Sequence, residues 1–443
     1  APGAALLGVG DGAATARWIG AAPKKAPARL GSTPEGGDGP EAVWRLEGLA
    51  AAAGAEAGAA ELLEQAALNW ALGAYRFERY KRAETSAARL ADPEPAIGAA
   101  AKARLIEIAT AVYLARDLVN TPASDLGPAD LERAVAALAA THGASFNSIV
   151  GEALLTETLP MIHAVGRGAA QAPRLLDVTW GAPTAPKLTI VGKGVCFDTG
   201  GLNLKPGRSM RLMKKDMGGA AAALALSHMV MALQLPVRLR LLIPAVENSV
   251  DALSFRPGDV LTSRKGITVE VGDTDAEGRL VLADALTLGA EESPDLMLDF
   301  ATLTGAARVA LGPEIAPFYT EDEDLAAALT ASAAATDDPL WRMPLWRGYD
   351  RDLSSSVADC CSVSSSGFAG SITAALFLSR FISAPGAEAG SEAADPSAAP
   401  PRWAHFDIYA WNPKTRPGRP EGGEAAAARA VFHTLERLYG GAV

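Results

Sequence analysis

The pattern of hydrophobic and polar residues divides the chain into an alanine-rich N-terminal part and a longer part in which strands alternate with helices. In the first part, residues 46–72 have a helical pattern, and the segment GSTPEGGDGPE before them has the composition of a loop. A helical pattern over residues 97–118 follows. It is predicted to end at Asn120-Thr121-Pro122, because a proline disfavours helical backbone in the residue before it. A further helix is predicted to begin near Gly127-Pro128, since proline suits the first helical turn.

From Leu175 onward, short β-rich runs alternate with helical patterns. The predicted strands are residues 188–191, 237–243, 267–271 and 296–300, and the predicted helices between them are residues 220–233 and 280–290. This alternation indicates an α/β fold with a central, mostly parallel or mixed sheet flanked by helices. Ligands bind at the strand ends of such sheets.

Three local segments depart from the alternation. Residues 259–271 are predicted to form a hairpin that turns at Lys265-Gly266. Residues 384–401 are an insertion rich in Ala, Pro, Gly and Glu, which we expect to be a mobile loop. The run RFERYKR at residues 76–82 has the charge pattern of a solvated helix face.

Composition and charge exclude several classes of protein. The chain has 443 residues, 49% of them hydrophobic, and a net charge of −11, which argues against nucleic-acid and anionic-membrane partners because those surfaces repel an acidic protein. The three cysteines, Cys196 and the pair Cys360-Cys361, are too few for a disulfide framework and fit the cytoplasm. Polar residues interrupt the most apolar helical run, residues 217–235, so we expect no membrane span. The N-terminal segment also lacks the basic region of a signal peptide.

The segment VGDTDAEGRLVLADAL, residues 271–286, carries a dense group of charges. Asp273, Asp275, Glu277 and Arg279 lie on alternate residues, and side chains at this spacing in extended backbone point in one direction. Crowded carboxylates are stable together if a cation is bound, if some are protonated, or if water screens them. For this segment alone, the alternative is a charged turn that caps the following helix.

Two further segments supply acids at strand ends and helix starts. GKGVCFDTGGLNLKPG carries Lys193, Asp198 and Lys205 in a glycine-rich loop, but the GxxxxGK[ST] order of a phosphate-binding loop is absent. KKDMGG carries Asp216, for which a helix cap is an equally good interpretation. Four carboxylates without a cluster of Cys or His favour Mn²⁺, Mg²⁺ or Zn²⁺, and two ions rather than one. Two such ions can hold a hydroxide and polarise a carbonyl or phosphoryl oxygen.

These segments resemble a known family. GKGVCFDTGG, KKDMGG, IPAVEN, DTDAEGRL and DFATLTGA, with ARDLVNTPASDLGP, WAHFDI and RPGRPEGG, resemble the leucyl (cytosol) aminopeptidases, which are M17-type dinuclear metallo-exopeptidases. The resemblance extends from Arg116 to the C-terminus and is patchy before it. It implies a hydrolase that releases leucine-like N-terminal residues from peptides. With the hydrophobic pattern, it implies a short, divergent N-terminal α/β domain at residues 1–95, a connecting helix within residues 96–125 and a catalytic metallopeptidase domain at residues 126–443.

The resemblance also implies a role for each matched residue. The matched metal ligands are Lys193, Asp198, Asp216, Asp275 and Glu277. Asp198 and Glu277 would contact both of two divalent ions, Mn²⁺ or Zn²⁺ with Mg²⁺ as an alternative in one site, and Lys193 would bind as a neutral amine. Lys205 matches a lysine that polarises the scissile carbonyl, and Arg279 matches an arginine that holds a bicarbonate general base.

Substrate contacts and assembly are implied as well. The matched substrate positions are Met213, Thr302, Leu303 and Gly305. One ion would bind the free α-amine, a bridging hydroxide would attack the carbonyl, and the protein would form a homohexamer. The five histidines fall outside these motifs and are expected to be structural. One departure from the family is Asp273, which replaces its usual asparagine and adds a carboxyl group beside the ligands.

Functions of other classes are open at this point. A two-metal phosphoryl hydrolase is favoured by the glycine-rich loop and its lysines, but the arginine cluster that phosphate substrates prefer is absent. A DNA-binding member of the family is disfavoured by the net charge of −11. A non-enzymatic structural hexamer is disfavoured because every matched ligand position is intact.

Overall fold

The computed structural model describes residues 43–44, 59–81, 89–90, 97–383 and 401–440. These residues fall into two compact units. The first comprises the described residues up to Asp117 together with Asn412–Gly422, and the second comprises Leu118–Trp411 together with the described residues from Gly423 onward. The predicted loop GSTPEGGDGPE lies outside the described residues, and so does the predicted insertion as far as residue 400.

The described part of the first unit contains two helical segments and a pair of short parallel strands. The helix predicted over residues 46–72 is described from residue 59 onward, as helix Ala59–Ala74. Helix Ala99–Asn120 ends before Pro122 as predicted, and its residues up to Asp117 belong to this unit. The strands are Val43–Trp44 and Arg89–Leu90.

Residues 76–81, the described part of the charged run, do not form a helix face, contrary to the prediction. The helix ends at Ala74, and Arg76 Nη1 donates to the carbonyl oxygens of Gly73, Ala74 and Tyr75. A continuing helix would pair its last carbonyls with backbone N–H groups, so the arginine side chain takes the place of those donors and the helix stops. Residues 78–81 are exposed, as the charge pattern predicts.

A nine-stranded mixed sheet forms the centre of the second unit. Eight strands follow one another across the sheet in the order Leu340–Arg342, Ala316–Tyr319, Arg402–Asp407, Leu296–Ala301, Lys187–Gly192, Arg238–Asn248, Arg174–Trp180 and Ser145–Val150. The ninth, Gly194–Asp198, pairs parallel with Arg238–Asn248. The four strands from Arg402–Asp407 to Arg238–Asn248 are parallel, so their carboxyl ends lie at one edge of the sheet. The predicted central, mostly parallel or mixed sheet is confirmed.

Helices pack on this sheet. Helix Gly218–Ala232 is buried at every residue except Ala232, which explains why its sequence is apolar all round rather than amphipathic. Gly219 permits its close approach, because a Cβ there would lie 2.1 Å from the carbonyl oxygen of Phe300. The other helices of this unit are Pro128–Thr141, Ala153–Thr156, Pro160–Gly166, Gly207–Met210, Glu277–Ala290, Gly305–Leu311, Glu323–Thr336, Gly370–Leu378 and Ala428–Tyr439, with the 3₁₀ helices Met213–Met217, Thr274–Ala276 and Arg347–Leu353.

The predicted hairpin is present as a small separate sheet. Val260–Thr262 and Thr268–Glu270 pair antiparallel, and Cys360–Cys361 adds a third strand. Gly266 has a φ of +88°, a conformation that a turn requires and that residues with a side chain rarely adopt. The remaining short strands are Trp411–Asn412 and Gly422–Gly423.

The other predictions from the hydrophobic pattern are largely confirmed. All the predicted strands are present, although the second extends further, through Asn248. Both predicted helices are also present, and each begins two or three residues earlier than predicted. The three cysteines are free thiols, as predicted. Of the described helices, none is both long and apolar enough to cross a membrane.

Candidate metal centre and active site

The predicted site residues meet at the carboxyl edge of the central strands. Lys193 directly follows strand Lys187–Gly192, and Asp198 is the last residue of Gly194–Asp198. Thr302 directly follows the neighbouring strand Leu296–Ala301. Because parallel strands end at the same edge, residues far apart in the sequence lie side by side there, as expected for an α/β sheet.

Asp198, Asp275 and Glu277 form a compact acidic cluster. Each offers one carboxylate oxygen, and these oxygens all lie within 4.8 Å of one another. Both oxygens of Glu277 and one oxygen of Asp275 are buried and accept no well-oriented hydrogen bond. Buried anions need a compensating cation, and a set of carboxylate oxygens suits a divalent ion. The cluster therefore fits a metal site.

Lys193 lies between Glu277 and a fourth acid, Asp216. Its Nζ is 2.9 Å from a carboxylate oxygen of each, and it donates to the carbonyl oxygen of Thr302 at 3.1 Å. Burial disfavours the ammonium form, but the charges of Asp216 and Glu277 outweigh burial and hold the pKa of Lys193 above its usual range. Gly278 makes this contact possible, because a Cβ there would lie 2.6 Å from Lys193 Cε.

Lys205 contacts a different pair of acids. Its Nζ is 2.8 Å from Asp198 Oδ2 and also contacts Asp275 Oδ1. Burial opposes the charged form, but the charge of Asp198 outweighs burial and raises the pKa of Lys205. The side chain is 13% exposed, so Lys205 is the more accessible of the two lysines.

The pKa values of Glu277 and Asp275 are raised for a shared reason. Burial and the nearby charge of Asp198 raise the pKa of Glu277 to about 8. The same two causes raise the pKa of Asp275 to about 6. A bound cation would oppose both shifts, because it favours the ionised carboxylates.

The acids of residues 271–286 converge, but not through the predicted extended backbone. Thr274–Ala276 is a 3₁₀ turn, and the helix already begins at Glu277, so a turn at a helix start brings Asp275 and Glu277 together. Asp273 Oδ1 accepts a hydrogen bond from the Asp275 N–H at 2.9 Å. Asp273 therefore caps the 3₁₀ turn, whereas helix Glu277–Ala290 has Ala276 at its N-cap and no side-chain cap, so the segment does not cap the following helix as the alternative interpretation held.

Asp216 does not cap the following helix, which was the alternative for this residue. It lies within 3₁₀ helix Met213–Met217, and Met217 is the residue at the helix cap. Asp216 Oδ1 accepts from Thr302 Oγ1 at 2.7 Å, while Oδ2 faces Lys193. Its carboxylate is thus directed into the acidic cluster.

Sequence reasoning missed the role of the residues that orient these acids. Asn248 Nδ2 donates to Asp198 Oδ1 at 2.9 Å and to the Thr274 carbonyl oxygen at 3.0 Å. The hydroxyl of Thr302 does the same for Asp216. Asn248 is the last residue of its strand, and this position at the carboxyl edge was the available signal.

Arg279 lies in the first turn of helix Glu277–Ala290 and is buried. Its Nη1 donates to the Ser362 carbonyl oxygen at 2.6 Å, and its buried Nε has no acceptor. Burial lowers the pKa of Arg279 to about 10. The guanidinium is therefore fixed by one bond and retains donors for an anion.

The predicted substrate residues lie beside the acids. Met213 begins the 3₁₀ helix that carries Asp216, and Gly305 begins helix Gly305–Leu311. The N–H groups of Leu303 and Thr304 both donate to Asp407 Oδ1 at 3.0 Å. The Leu303 N–H is thus already paired within the protein.

The five histidines make contacts of their own away from these acids. The pairs are His405 with Asp299 at 2.6 Å, His163 with Glu152 at 3.1 Å, His433 with Ser332 at 3.0 Å, and His142 with His228 at 3.1 Å. These contacts agree with the structural role expected for them.

The fold and the site together define a class. An α/β sheet that gathers buried carboxylates and two lysines at its carboxyl edge is typical of a metal-dependent enzyme. Residues 113–432 match the catalytic domain of the cytosol aminopeptidase family, and the chain belongs to that family. It is therefore a metal-dependent aminopeptidase, a hydrolase that acts on the amino ends of peptides.

Individual relatives agree with this assignment. The probable cytosol aminopeptidase of Syntrophotalea carbinolica is 40% identical over 380 residues, which are 83% of this chain and 73% of the relative. The crystal structure of the cytosol aminopeptidase from Coxiella burnetii is 46% identical and has a TM-score of 0.85, over 98% of this chain and 86% of that one. The bottromycin maturation enzyme BotP, solved in complex with Mn, is 35% identical with a TM-score of 0.83, over 97% and 88%.

Proposed function

We propose that the chain releases leucine-like N-terminal residues from peptides with two divalent ions held by Lys193, Asp198, Asp216, Asp275 and Glu277. The observation that carries this proposal is the convergence of Asp198, Asp275 and Glu277 within 4.8 Å. Glu277 is 1% exposed, and neither of its carboxylate oxygens accepts a well-oriented hydrogen bond. A buried carboxylate of this kind would hold a divalent cation.

Lys193 extends the cluster to Asp216, which supplies further ligands for a second ion. It contacts both Asp216 and Glu277, so one position near its Nζ is within reach of both carboxylates. To act as a ligand, its amine must lose a proton, and the charge of the ions would replace the charge of the ammonium. The oxygen-rich donor set with one amine suits Mn²⁺ or Zn²⁺, with Mg²⁺ as an alternative in one site. The manganese complex of BotP also supports manganese.

When bound, two ions generate a nucleophile from water at neutral pH and polarise the carbonyl oxygen of the peptide. Lys205 would add a hydrogen bond to that oxygen as negative charge develops on it, because its ammonium is beside Asp198 and Asp275 and is partly accessible. Arg279 would bind a bicarbonate that acts as general base. Its buried Nε without an acceptor supports such an anion.

Specificity, assembly and location follow from the resemblance. Met213, Thr302, Leu303 and Gly305 would contact the substrate, the last three through their backbone, and the side chain of Met213 would favour an apolar residue. We also propose a homohexamer in the cytoplasm whose catalytic domain is residues 126–443. Light scattering should then give a mass near six times 45.5 kDa. A monomer or dimer with full activity would contradict the hexamer.

The direct test is hydrolysis of aminoacyl p-nitroanilides by protein reconstituted with Mn²⁺ or Zn²⁺. We expect leucine and methionine derivatives to be the best substrates and Glu277→Gln to abolish turnover. Glu157→Gln is a matched control, because Glu157 is exposed and lies outside the cluster. Full activity of Glu277→Gln, or hydrolysis of nitrophenyl phosphate in preference to the anilides, would refute the proposal.

A further inference from the structure

Lys215 is a buried cation that the proposed mechanism does not use. It is 3% exposed and lies one residue before the predicted ligand Asp216. Among the described residues, it has neither a hydrogen-bond acceptor nor an acidic ion-pair partner, and its Nζ lies 4.8 Å from the ring centroid of Tyr409. Burying an ammonium without an acidic partner is costly, so such a position needs an explanation.

A second cation contacts the same aromatic ring. The Cζ of Arg308 lies 4.7 Å from the centroid of Tyr409. Like Lys215, Arg308 has no acceptor or acidic partner among the residues that the structure describes. The two cations are therefore close to each other, because both contact the ring of Tyr409. This ring is only partly buried.

The acids nearest to Lys215 are already engaged. Asp216 is occupied by Lys193 and by the hydroxyl of Thr302. Asp407 accepts the N–H groups of Leu303 and Thr304 with one oxygen and the Thr304 hydroxyl with the other, at 2.6 Å. Neither acid forms an ion pair with Lys215 or Arg308 among the described residues, so the donors of both cations remain available to an external anion.

Lys215 and Arg308 lie beside residues that are predicted to bind the metal ions and the peptide. Lys215 adjoins Asp216 in the chain, and Arg308 lies in the helix that begins at Gly305. A Cβ on Gly305 would lie 3.3 Å from Arg308 Nη2, so the guanidinium lies against a predicted substrate residue. The anion that meets these cations would therefore belong to the molecule being cleaved.

We propose that Lys215, Arg308 and Tyr409 form a subsite for a carboxylate group of the peptide substrate. Arginine presents a planar pair of donors that matches a carboxylate, lysine adds a point charge, and the ring orients both cations. A peptide offers such a group from three sources: an acidic first side chain, an acidic second side chain, or the free C-terminus of a very short peptide. The subsite rests on the proposed aminopeptidase function and specifies its substrates further.

Matched peptide pairs test the proposal on the Mn²⁺-loaded protein. Glu-Gly against Gln-Gly tests the first side chain, the amides of Leu-Glu and Leu-Gln test the second, and Leu-Gly against its amide tests the terminus. We expect kcat/KM to favour the acidic member of at least one pair by about tenfold or more, as for one charge-assisted hydrogen bond. Arg308→Met should bring that ratio close to one, whereas Arg308→Lys should keep part of it. Arg133→Met is a control, since Arg133 is 73% exposed on another helix.

Binding separates this proposal from the proposed function. Calorimetric titration of the Glu277→Gln protein with the same pairs measures affinity without turnover. A preference for the acidic peptide that Arg308→Met removes supports the subsite. Absence of hydrolysis by the Mn²⁺-loaded wild-type protein would instead count against the proposed aminopeptidase and would leave that preference standing. Equal rates and equal affinities within every pair, or ratios unchanged by Arg308→Met, would overturn the subsite. Because Arg308 is partly exposed, its variants test the proposal even if Lys215→Met fails to fold.

Discussion

Glu277 and Lys193 meet at the centre of the site, with Glu277 Oε1 2.9 Å from Lys193 Nζ. The residue after Glu277 is Gly278, and the lysine side chain fills the space where a side chain on that residue would lie. A helix start and a strand end are therefore joined by one ion pair that depends on a missing Cβ.

Gly278→Ala should impair metal binding more than it impairs folding. Its Cβ would lie 2.6 Å from Lys193 Cε and 2.7 Å from Nζ, so the lysine must move. Alanine favours helix over glycine by about 1 kcal/mol, which offsets part of the strain. We expect metal affinity to fall by about 10–100-fold, as for loss of a residue that supports a ligand. Metal titration by calorimetry measures this. Gly367→Ala, where a Cβ meets nothing within 4 Å, is the control.

Lys205→Ala should lower kcat by about 10²–10³, the usual loss for one oxyanion donor, with little change in KM. The ammonium is held beside the cluster by Asp198 and Asp275, so it is positioned before charge develops on the substrate. Steady-state kinetics at saturating metal provide the measurement. A variant with nearly wild-type kcat would show that Lys205 has only a structural role.

Arg279→Ala should cost less, about 10–10² in kcat, because this residue would anchor a base rather than contact the reacting atoms. Added bicarbonate should stimulate the wild-type protein and leave the variant unaffected. Since the substitution also removes the bond to the Ser362 carbonyl oxygen, thermal unfolding must be compared in parallel. Stimulation of the variant by bicarbonate to the same extent as wild type would refute this role.

The sequence predicts the strands, the helices and the residue types of the site better than it predicts the geometry of the site. The hydrophobic pattern predicts the strands Lys187–Gly192 and Leu296–Ala301, and their carboxyl ends lie at one edge because the two strands are parallel. The alternate spacing of Asp275 and Glu277 indicated convergence but implied a strand, whereas a 3₁₀ turn and a helix start produce it. Contacts over long separations, such as Thr302 with Asp216, depend on packing that no local pattern encodes.

Asp284, about two turns along the helix that begins at Glu277, should make stability depend on pH. Its buried carboxylate accepts the N–H groups of Met161 and Arg264 at 2.8 Å each, but burial outweighs these bonds and raises its pKa from 3.8 to about 7. Between these values the native protein keeps a proton that the unfolded chain has lost. Stability is therefore highest below pH 4 for this group and falls as pH rises to 7, by up to about 1.4 kcal/mol per pH unit.

Asp284→Asn removes this contribution without removing the side chain. Urea unfolding of both proteins at pH 5 and pH 7 should show a smaller loss of stability for the variant across that interval. The quantity to compare is the change in the free energy of unfolding between the two pH values. Its absolute value is lower for the variant at each pH, because the amide cannot accept all the hydrogen bonds that the carboxylate accepts. An equal change in the free energy of unfolding for both proteins would mean that Asp284 does not change its protonation state on unfolding in this pH range.

Asp216→Ala should give a protein whose activity returns as the metal concentration is raised. Asp216 contacts Lys193 through one oxygen and accepts from Thr302 through the other, so its loss weakens one metal position without touching Lys205 or Arg279. A lost ligand weakens affinity before it alters the chemistry of a filled site. Thr302→Val, which removes only the hydroxyl that orients Asp216, should shift the metal dependence in the same direction by less, about tenfold. The decisive measurement is kcat for both variants with metal content determined directly. If Asp216→Ala remains inactive with two ions bound per chain, Asp216 acts on the reaction itself and the division of roles between it and Lys205 is wrong.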